Sequence, residues 1–105
     1  MHRIFAILLL TASMLPLTAM ATGDVAEGKV KAYTCTGCHG IPGYNNVYPT
    51  YKVPKIGGQN YEYLVSALNA YKSGERKHST MNAQAMSLDQ MDIEDISAYF
   101  ASLDK

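Results

Sequence analysis

Two cysteines and a histidine occur together in the segment Cys35-Thr36-Gly37-Cys38-His39, and this arrangement constrains the chain more than any other feature. The spacing C-x-x-C-H is typical of covalent haem attachment. One turn of backbone presents both sulfurs along one edge of the porphyrin, where the thiols add to the two vinyl groups and form thioethers. His39 is thereby carried under the ring, where its imidazole nitrogen can bind the iron as an axial ligand. We therefore predict one covalent haem c, attached through Cys35 and Cys38, with His39 on the iron.

Three other interpretations of the cysteine pair compete with haem attachment. A disulfide or thioredoxin-like redox pair would be expected within a βαβ pattern, which the sequence does not show. A zinc site would use Cys35, Cys38 and two histidines. However, His39 directly follows a cysteine, which is poor spacing for two ligands of one tetrahedron. An accidental occurrence is disfavoured because residues 1–21 have the pattern of an export signal and the rest of the chain has few apolar residues for a core.

The N-terminus has the pattern of a secretory signal peptide. Its positive start, its apolar run and its small-x-small cleavage pattern lie at residues 2–3, 4–10 and 19–21. We predict cleavage after Ala21, which separates a signal peptide (1–21) from one domain (22–105) exported to the periplasm. The alternative is an uncleaved membrane anchor, but a spanning helix needs about 20 apolar residues, and Pro16 interrupts a shorter run. No stable membrane insertion is expected after cleavage.

The chain after residue 21 has little apolar material for a core. Its leucines are Leu64, Leu68, Leu88 and Leu103. Chains below roughly 70–80 residues usually need a staple such as a disulfide or a metal, and this domain is only slightly longer. A haem is a large apolar plate, so it could supply the missing interior.

Caps and apolar periodicity predict three helices. The first is capped by Asp24 and runs to about Thr34, directly into the cysteine pair. The second lies between Asn60 as N-cap and Gly74 as C-cap, and the third opens at Asp89. The domain is therefore predicted to be all-α.

Long loops separate the three predicted helices. Residues 40–59 are rich in Pro, Gly and Asn, which is loop composition. A structureless stretch of this length in a small domain is usually functional, and wrapping a cofactor would explain it. No segment alternates clearly enough to predict a strand.

A second axial ligand is needed for a low-spin electron carrier, and Met is the expected partner of His. Met91 lies within the predicted third helix beside charged residues, which disfavours it. Met86 precedes the cap of that helix and can pack beneath it, whereas Met81 lies in mid-loop, where the backbone can approach the iron. His78 is a fourth candidate, although a solvent-exposed loop histidine is the simpler interpretation.

Further motifs are spread along the chain. They are Gly23-Asp24 with Gly28, Cys35–Gly40, Pro54–Gln59, Tyr71–Gly74 with Arg76, and Asp92–Phe100. Together, over residues 23–103, they resemble the class I c-type cytochromes, in particular small bacterial monohaem cytochromes and the halves of dihaem cytochromes of the c-four type. The resemblance implies the small class I cytochrome c fold, with three main helices and long loops wrapped around one haem.

The resemblance also selects among the methionines. In that family the ligand Met lies five residues after an Arg and about seven before a Leu that precedes the last helix. Met81 fits both distances, from Arg76 and to Leu88, and Met86 fits neither. Met81 is therefore implied as the second iron ligand.

A proline carbonyl orients the axial histidine in that family by accepting a hydrogen bond from its far nitrogen. Pro49, five residues before Pro54, matches this position when counted backward, and Pro42 is the alternative. The segment Tyr44–Tyr51 is the main departure from the family pattern. Its tyrosine hydroxyls could reach the haem propionates, or the rings could simply cover the haem edge.

Gly28 resembles the glycine at which the first and last helices of these cytochromes cross closely, with Tyr99 or Phe100 packed there. A glycine inside a helix costs about 1 kcal/mol relative to alanine. A close helix crossing would explain why it is tolerated.

The function implied by the resemblance is transfer of single electrons, not enzymatic catalysis. Partners would be an oxidase, a reductase or a dehydrogenase of a respiratory or oxidative chain. A basic rim that speeds encounter with acidic partners could be formed by Lys52, Lys55, Lys72, Arg76 and Lys77. Nucleic acid is excluded as the main partner, because nine Lys and Arg are balanced by nine Asp and Glu.

Two other functions are alternatives to a free electron carrier. A haem catalyst or gas sensor would leave the iron without Met and would need distal acid–base groups, for which only His78 is available. A fixed subunit of a larger redox complex would have the same sequence features as a free carrier.

Overall fold

The computed structural model describes residues 23–48 and 50–105. The predicted signal peptide (1–21) and Pro49 lie outside the described residues. Within these two ranges, five helices and one hairpin follow in order: α1 (Val25–Lys31), α2 (Tyr33–His39), β1 (Asn45–Val47), β2 (Thr50–Lys52), α3 (Tyr61–Ser73), α4 (Ser79–Met86) and α5 (Gln90–Ser102). The fold is mostly helical, as predicted. Within the described ranges, no helix is long and apolar enough to cross a membrane.

The first predicted helix is divided at Ala32. Asp24 caps α1 by accepting a hydrogen bond from the Glu27 amide at 3.0 Å, as predicted. Ala32 has φ −77° and ψ 4°, and the chain then continues as α2. The predicted end at Thr34 is therefore wrong, because α2 extends through the whole cysteine motif to His39. Neither Gly nor Pro marks the break, so no local pattern of residues predicts it.

Helices α1 and α5 cross at Gly28, as predicted. A Cβ atom built on Gly28 would lie 1.9 Å from the carbonyl oxygen of Asp95 and 2.8 Å from the Cβ of Tyr99. Only a residue without a side chain permits this approach, which explains a glycine in a helix interior.

An ionic network stabilises the same crossing. The buried carboxylate of Asp95 accepts hydrogen bonds from the Asp24 amide at 2.8 Å and from Lys31 Nζ at 2.6 Å. Lys31 Nζ also lies 3.2 Å from Asp92 Oδ1. The amide of Asp24, followed by Lys31, lowers the pKa of Asp95 below its ordinary value.

Acid should therefore remove a stabilising contribution that depends on Asp95. A carboxyl group with a lowered folded-state pKa stabilises the protein above its unfolded pKa, which is 3.8, and loses this effect as the pH falls through the folded value. In urea titrations, the difference in free energy of unfolding between wild type and Asp95→Asn should be largest near neutral pH and shrink below about pH 4. Asp104→Asn, at an exposed position, serves as control. A wild-type–Asp95→Asn difference that is independent of pH would contradict this role.

The apolar core is small and lies between the helices. Ala32, Leu64, Ile96 and Phe100 form its buried cluster. The predicted caps of the two helices α3 and α5 are present: Asn60 accepts from the Tyr63 amide, and Asp89 forms a capping box with Asp92. This thin cluster agrees with the scarcity of apolar residues in the sequence.

The loop at residues 40–59 contains a hairpin that was not predicted. Strands β1 and β2 pair antiparallel, with Asn46 opposite Tyr51. Thr50 Oγ1 donates to the Val47 carbonyl at 2.8 Å and closes the turn. Each strand has only three residues, which is too short for alternation to be visible in the sequence.

Helix α4 was also not predicted, because the segment has a polar, loop-like composition. Its N-cap is His78, whose Nδ1 accepts a hydrogen bond from the Met81 amide at 3.3 Å. Histidine is not among the usual capping residues, so the start of this helix carries no sequence signal. Met81 consequently lies in the first turn of α4 and not in mid-loop.

Candidate haem site

Helix α2 positions the cysteine motif. Cys35 and Cys38 are one helical turn apart, and both are half-buried free thiols. Burial raises the pKa of the Cys35 thiol. Two thiols at positions i and i+3 lie on the same side of a helix, which is the arrangement that thioether formation along one porphyrin edge requires.

The imidazole of His39 is oriented by the carbonyl of Pro54, at 2.8 Å from its Nδ1. A carbonyl oxygen can only accept, so Nδ1 carries a hydrogen, and the matching neutral tautomer has the lone pair for a metal on Nε2. The prediction of Pro49 for this hydrogen bond is therefore wrong, and Pro42 does not make it either. Counting backward along the chain passes through a segment that forms the hairpin, and Pro54, which follows that hairpin, is the proline that reaches His39.

A cavity of about 440 Å³ opens beside α2. Its volume falls within the range of cofactor sites, roughly 300–1,000 Å³. Side chains from α2, the hairpin, α3, α4 and α5 line it, among them Cys35, Cys38, His39, Tyr51, Leu64, Leu68, Tyr71, Met81, Ser97 and Phe100. The cavity thus brings the predicted thiols, the predicted histidine and one predicted methionine to a common space.

The structure separates Met81 from the other methionine candidates. Met81 lines the cavity, whereas Met86 and Met91 are 69% and 67% exposed and do not line it. His78 lines the cavity too, but its Nδ1 caps α4 and its ring packs against Tyr51. Among the candidates, Met81 is the thioether with access to the cavity.

Asn82 anchors the first turn of α4, a role that the sequence did not reveal. Its amide nitrogen donates to the carbonyls of Tyr71 at 2.8 Å and Arg76 at 2.9 Å. Its amide oxygen accepts from the His78 amide at 2.9 Å. One side chain therefore ties the turn that carries Met81 to the end of α3 and to the connecting loop.

The charged residues that line the cavity are all basic: Lys52, Lys55 and Arg76. They suit a cofactor that carries carboxylates, as haem does in its propionates. Lys72, another residue of the predicted basic rim, does not line the cavity and donates to the carbonyl of Leu88. The Arg76 guanidinium packs over the Tyr71 ring, 4.7 Å from its centroid.

The tyrosines of the hairpin segment differ in position. Tyr48 is 95% exposed, and neither it nor Tyr44 lines the cavity. Tyr51 lines the cavity and donates from its hydroxyl to Thr80 Oγ1 at 2.9 Å. Of the three, only Tyr51 is placed to cover a cofactor in this cavity.

The residues present fit a covalent haem. They supply two adjacent free thiols, an oriented imidazole, a thioether and an apolar lining in one cavity. The buried hydroxyl of Ser97 also lines this cavity and has no hydrogen-bond partner among the described residues. Across the same residues, no group of three or more His, Cys, Asp or Glu is placed to hold a metal ion.

Comparison with known proteins identifies the family. The sequence profile described as Cytochrome c matches residues 25–104. The chain belongs to the cytochrome c family. Membership implies a covalent c-type haem with iron and a role in electron transport.

Three relatives show how this cytochrome domain compares with longer and shorter proteins. It is 39% identical to cytochrome c4 of Pseudomonas aeruginosa over 102 residues, which cover 97% of this chain and 49% of that protein. It is 41% identical to cytochrome c-554(548) of Halomonas halodenitrificans over 83 residues, which cover 76% of this chain and 96% of the relative. The solved structure of thiosulfate dehydrogenase (TsdBA) from Marichromatium purpuratum matches with a TM-score of 0.67 and 30% identity, over 83% of this chain and 21% of that one. The chain thus spans about half the length of the cytochrome c4 relative and nearly all of the shorter cytochrome.

Proposed function

We propose that this domain carries one haem, attached through Cys35 and Cys38, with its iron between His39 and Met81, and that it transfers single electrons between redox proteins. The observation that carries the proposal is that both ligand side chains line one cavity, His39 from α2 and Met81 from α4. His/Met ligation raises the reduction potential relative to harder ligand pairs. Such a potential suits a carrier that delivers electrons to an oxidase or a reductase, or accepts them from a dehydrogenase.

When bound, the haem would supply an iron that can gain or lose one electron. The residues of the chain hold the ligand side chains in place. The Pro54 carbonyl keeps the hydrogen on Nδ1 of His39 and leaves Nε2 available. Asn82 and His78 hold the first turn of α4 and with it the backbone of Met81. Rigid ligand positions keep structural change small when the charge on the iron changes, which favours fast electron transfer.

We further infer export to the periplasm, with cleavage of residues 1–21 after Ala21. The N-terminal charge, the apolar run and the small-x-small pattern support this. Partners with acidic surfaces near their redox centres would be favoured by the basic residues at the cavity, Lys52, Lys55 and Arg76.

A second candidate function is electron transfer within a redox enzyme, of which this domain would be a fixed subunit. The likeness to thiosulfate dehydrogenase (TsdBA), in which the matched region is 21% of the solved chain, favours it. In both functions the domain relays electrons and performs no catalysis itself. Isolation of the native protein with or without a bound partner, by size-exclusion chromatography, distinguishes them.

Replacing Met81 tests the proposal. Wild type should show a low-spin c-type spectrum and, when ferric, the weak red charge-transfer band of iron–methionine ligation. Met81→Ala should lose that band and bind carbon monoxide when ferrous, because the sixth position opens. Met86→Ala removes an exposed methionine outside the cavity and should keep the wild-type spectrum. An unchanged spectrum in Met81→Ala would remove Met81 as a ligand.

A further inference from the structure

The hairpin contacts the segment that carries Met81 through the side chain of Tyr51. Tyr51, on β2, donates from its hydroxyl to Thr80 Oγ1 at 2.9 Å. Its ring meets the ring of His78 edge-on, with centroids 4.7 Å apart. Thr80 immediately precedes Met81, and His78 caps the Met81 amide. Tyr51 therefore touches two residues that position Met81 along the chain.

The first turn of α4 depends on such polar contacts, because the helix has little apolar anchorage. Ala85 is its one buried residue, and it lies a full turn beyond Met81. The first turn is held on the α3 side by Asn82, which bonds the Tyr71 carbonyl. Tyr51 supplies the corresponding attachment on the hairpin side.

We propose that Tyr51 is a positioning residue for Met81: its hydroxyl, bonded to Thr80, holds the first turn of α4, so that Met81 resists displacement from the iron by competing ligands. This inference rests on the proposed function, since it needs Met81 as a ligand. The hairpin, which is the main departure from the family pattern, thereby acquires a role in retaining the methionine.

Imidazole binding to the ferric holoprotein measures this resistance, because imidazole must displace the methionine. Tyr51→Phe keeps the ring and removes the bond to Thr80. The loss of one net hydrogen bond should tighten apparent imidazole binding by about 2- to 10-fold. Tyr48→Phe, the same chemical change on the same hairpin at an exposed position, should bind imidazole like wild type.

Thr80→Val removes the same hydrogen bond from the other side. It should tighten imidazole binding to a similar degree, and the double variant Tyr51→Phe/Thr80→Val should exceed neither single variant by more than about twofold. If Tyr51→Phe does not retain haem, Thr80→Val alone tests whether this hydrogen bond helps to keep Met81 on the iron. Thermal unfolding of each variant separates a general loss of stability from an effect at the iron.

The inference would be overturned if Tyr51→Phe bound imidazole as wild type does, whether or not its unfolding temperature fell. Additive effects in the double variant would also contradict it. Failure of the proposed function looks different: wild type would lack the iron–methionine band, or Met81→Ala would retain it. With that band present and sensitive to Met81, an unchanged affinity in Tyr51→Phe rejects only the role of Tyr51.

Discussion

Gly28→Ala is expected to lower the free energy of unfolding by about 3 kcal/mol, because the new methyl group has no room at the crossing of α1 and α5. Its Cβ would lie 1.9 Å from the carbonyl oxygen of Asp95, and backbone cannot yield as the end of a flexible side chain can. The helices must move apart, which also stretches the hydrogen bond from the Asp24 amide to the Asp95 carboxylate. Urea denaturation of the holoprotein, followed by circular dichroism, measures the loss.

Gly37→Ala is the matched control for this substitution. Gly37 is also a helical glycine, but a Cβ built there meets no atom of the described residues within 4 Å. Higher helix propensity should make this variant neutral, or more stable by up to about 1 kcal/mol. If Gly28→Ala were as stable as Gly37→Ala, the close crossing of α1 and α5 could not be correct.

Replacing both Cys35 and Cys38 with alanine should abolish covalent haem attachment altogether. No other cysteine is present in the chain to form a thioether. The haem should then partition into acidified organic solvent, whereas in wild type it should stay with the protein. The variant should also be far less stable, because the cavity of about 440 Å³ is no longer filled by a tethered group.

Thr36→Ala is the control within the same motif. The Thr36 hydroxyl bonds the Tyr33 carbonyl at an exposed position, and the substitution leaves both thiols in place. This variant should keep its haem through extraction. Haem that resisted extraction from the double cysteine variant would show that attachment does not use these thioethers.

Features encoded by neighbouring residues were predictable from the sequence. Asp24, Asn60 and Asp89 cap their helices as expected, because an N-cap acts on amides only two or three residues away. The placement of the thiols and of His39 is likewise local, since α2 contains all three. The close helix crossing at Gly28 was predicted correctly, because a glycine in a helix interior is unfavourable unless close packing requires it.

Features set by tertiary contacts were not predictable from a single sequence. The carbonyl that orients His39 belongs to Pro54 and not to Pro49, since the hairpin alters which proline returns to the histidine. The anchoring of α4 by Asn82 depends on carbonyls of a preceding helix and loop, and a lone Asn in a polar segment gives no sign of it. The N-cap of α4 is His78, and histidine is rarely an N-cap residue.

The partial burial of α2 keeps the cysteine motif accessible to solvent. The helix buries none of its residues completely, and Tyr33 at its start is 81% exposed, while the preceding Ala32 is part of the core cluster. The crossing of α1 and α5 is made by other residues, Gly28 and Asp95 among them. The two cysteine thiols, which are only half-buried, can therefore be reached from solvent without separating α1 from α5.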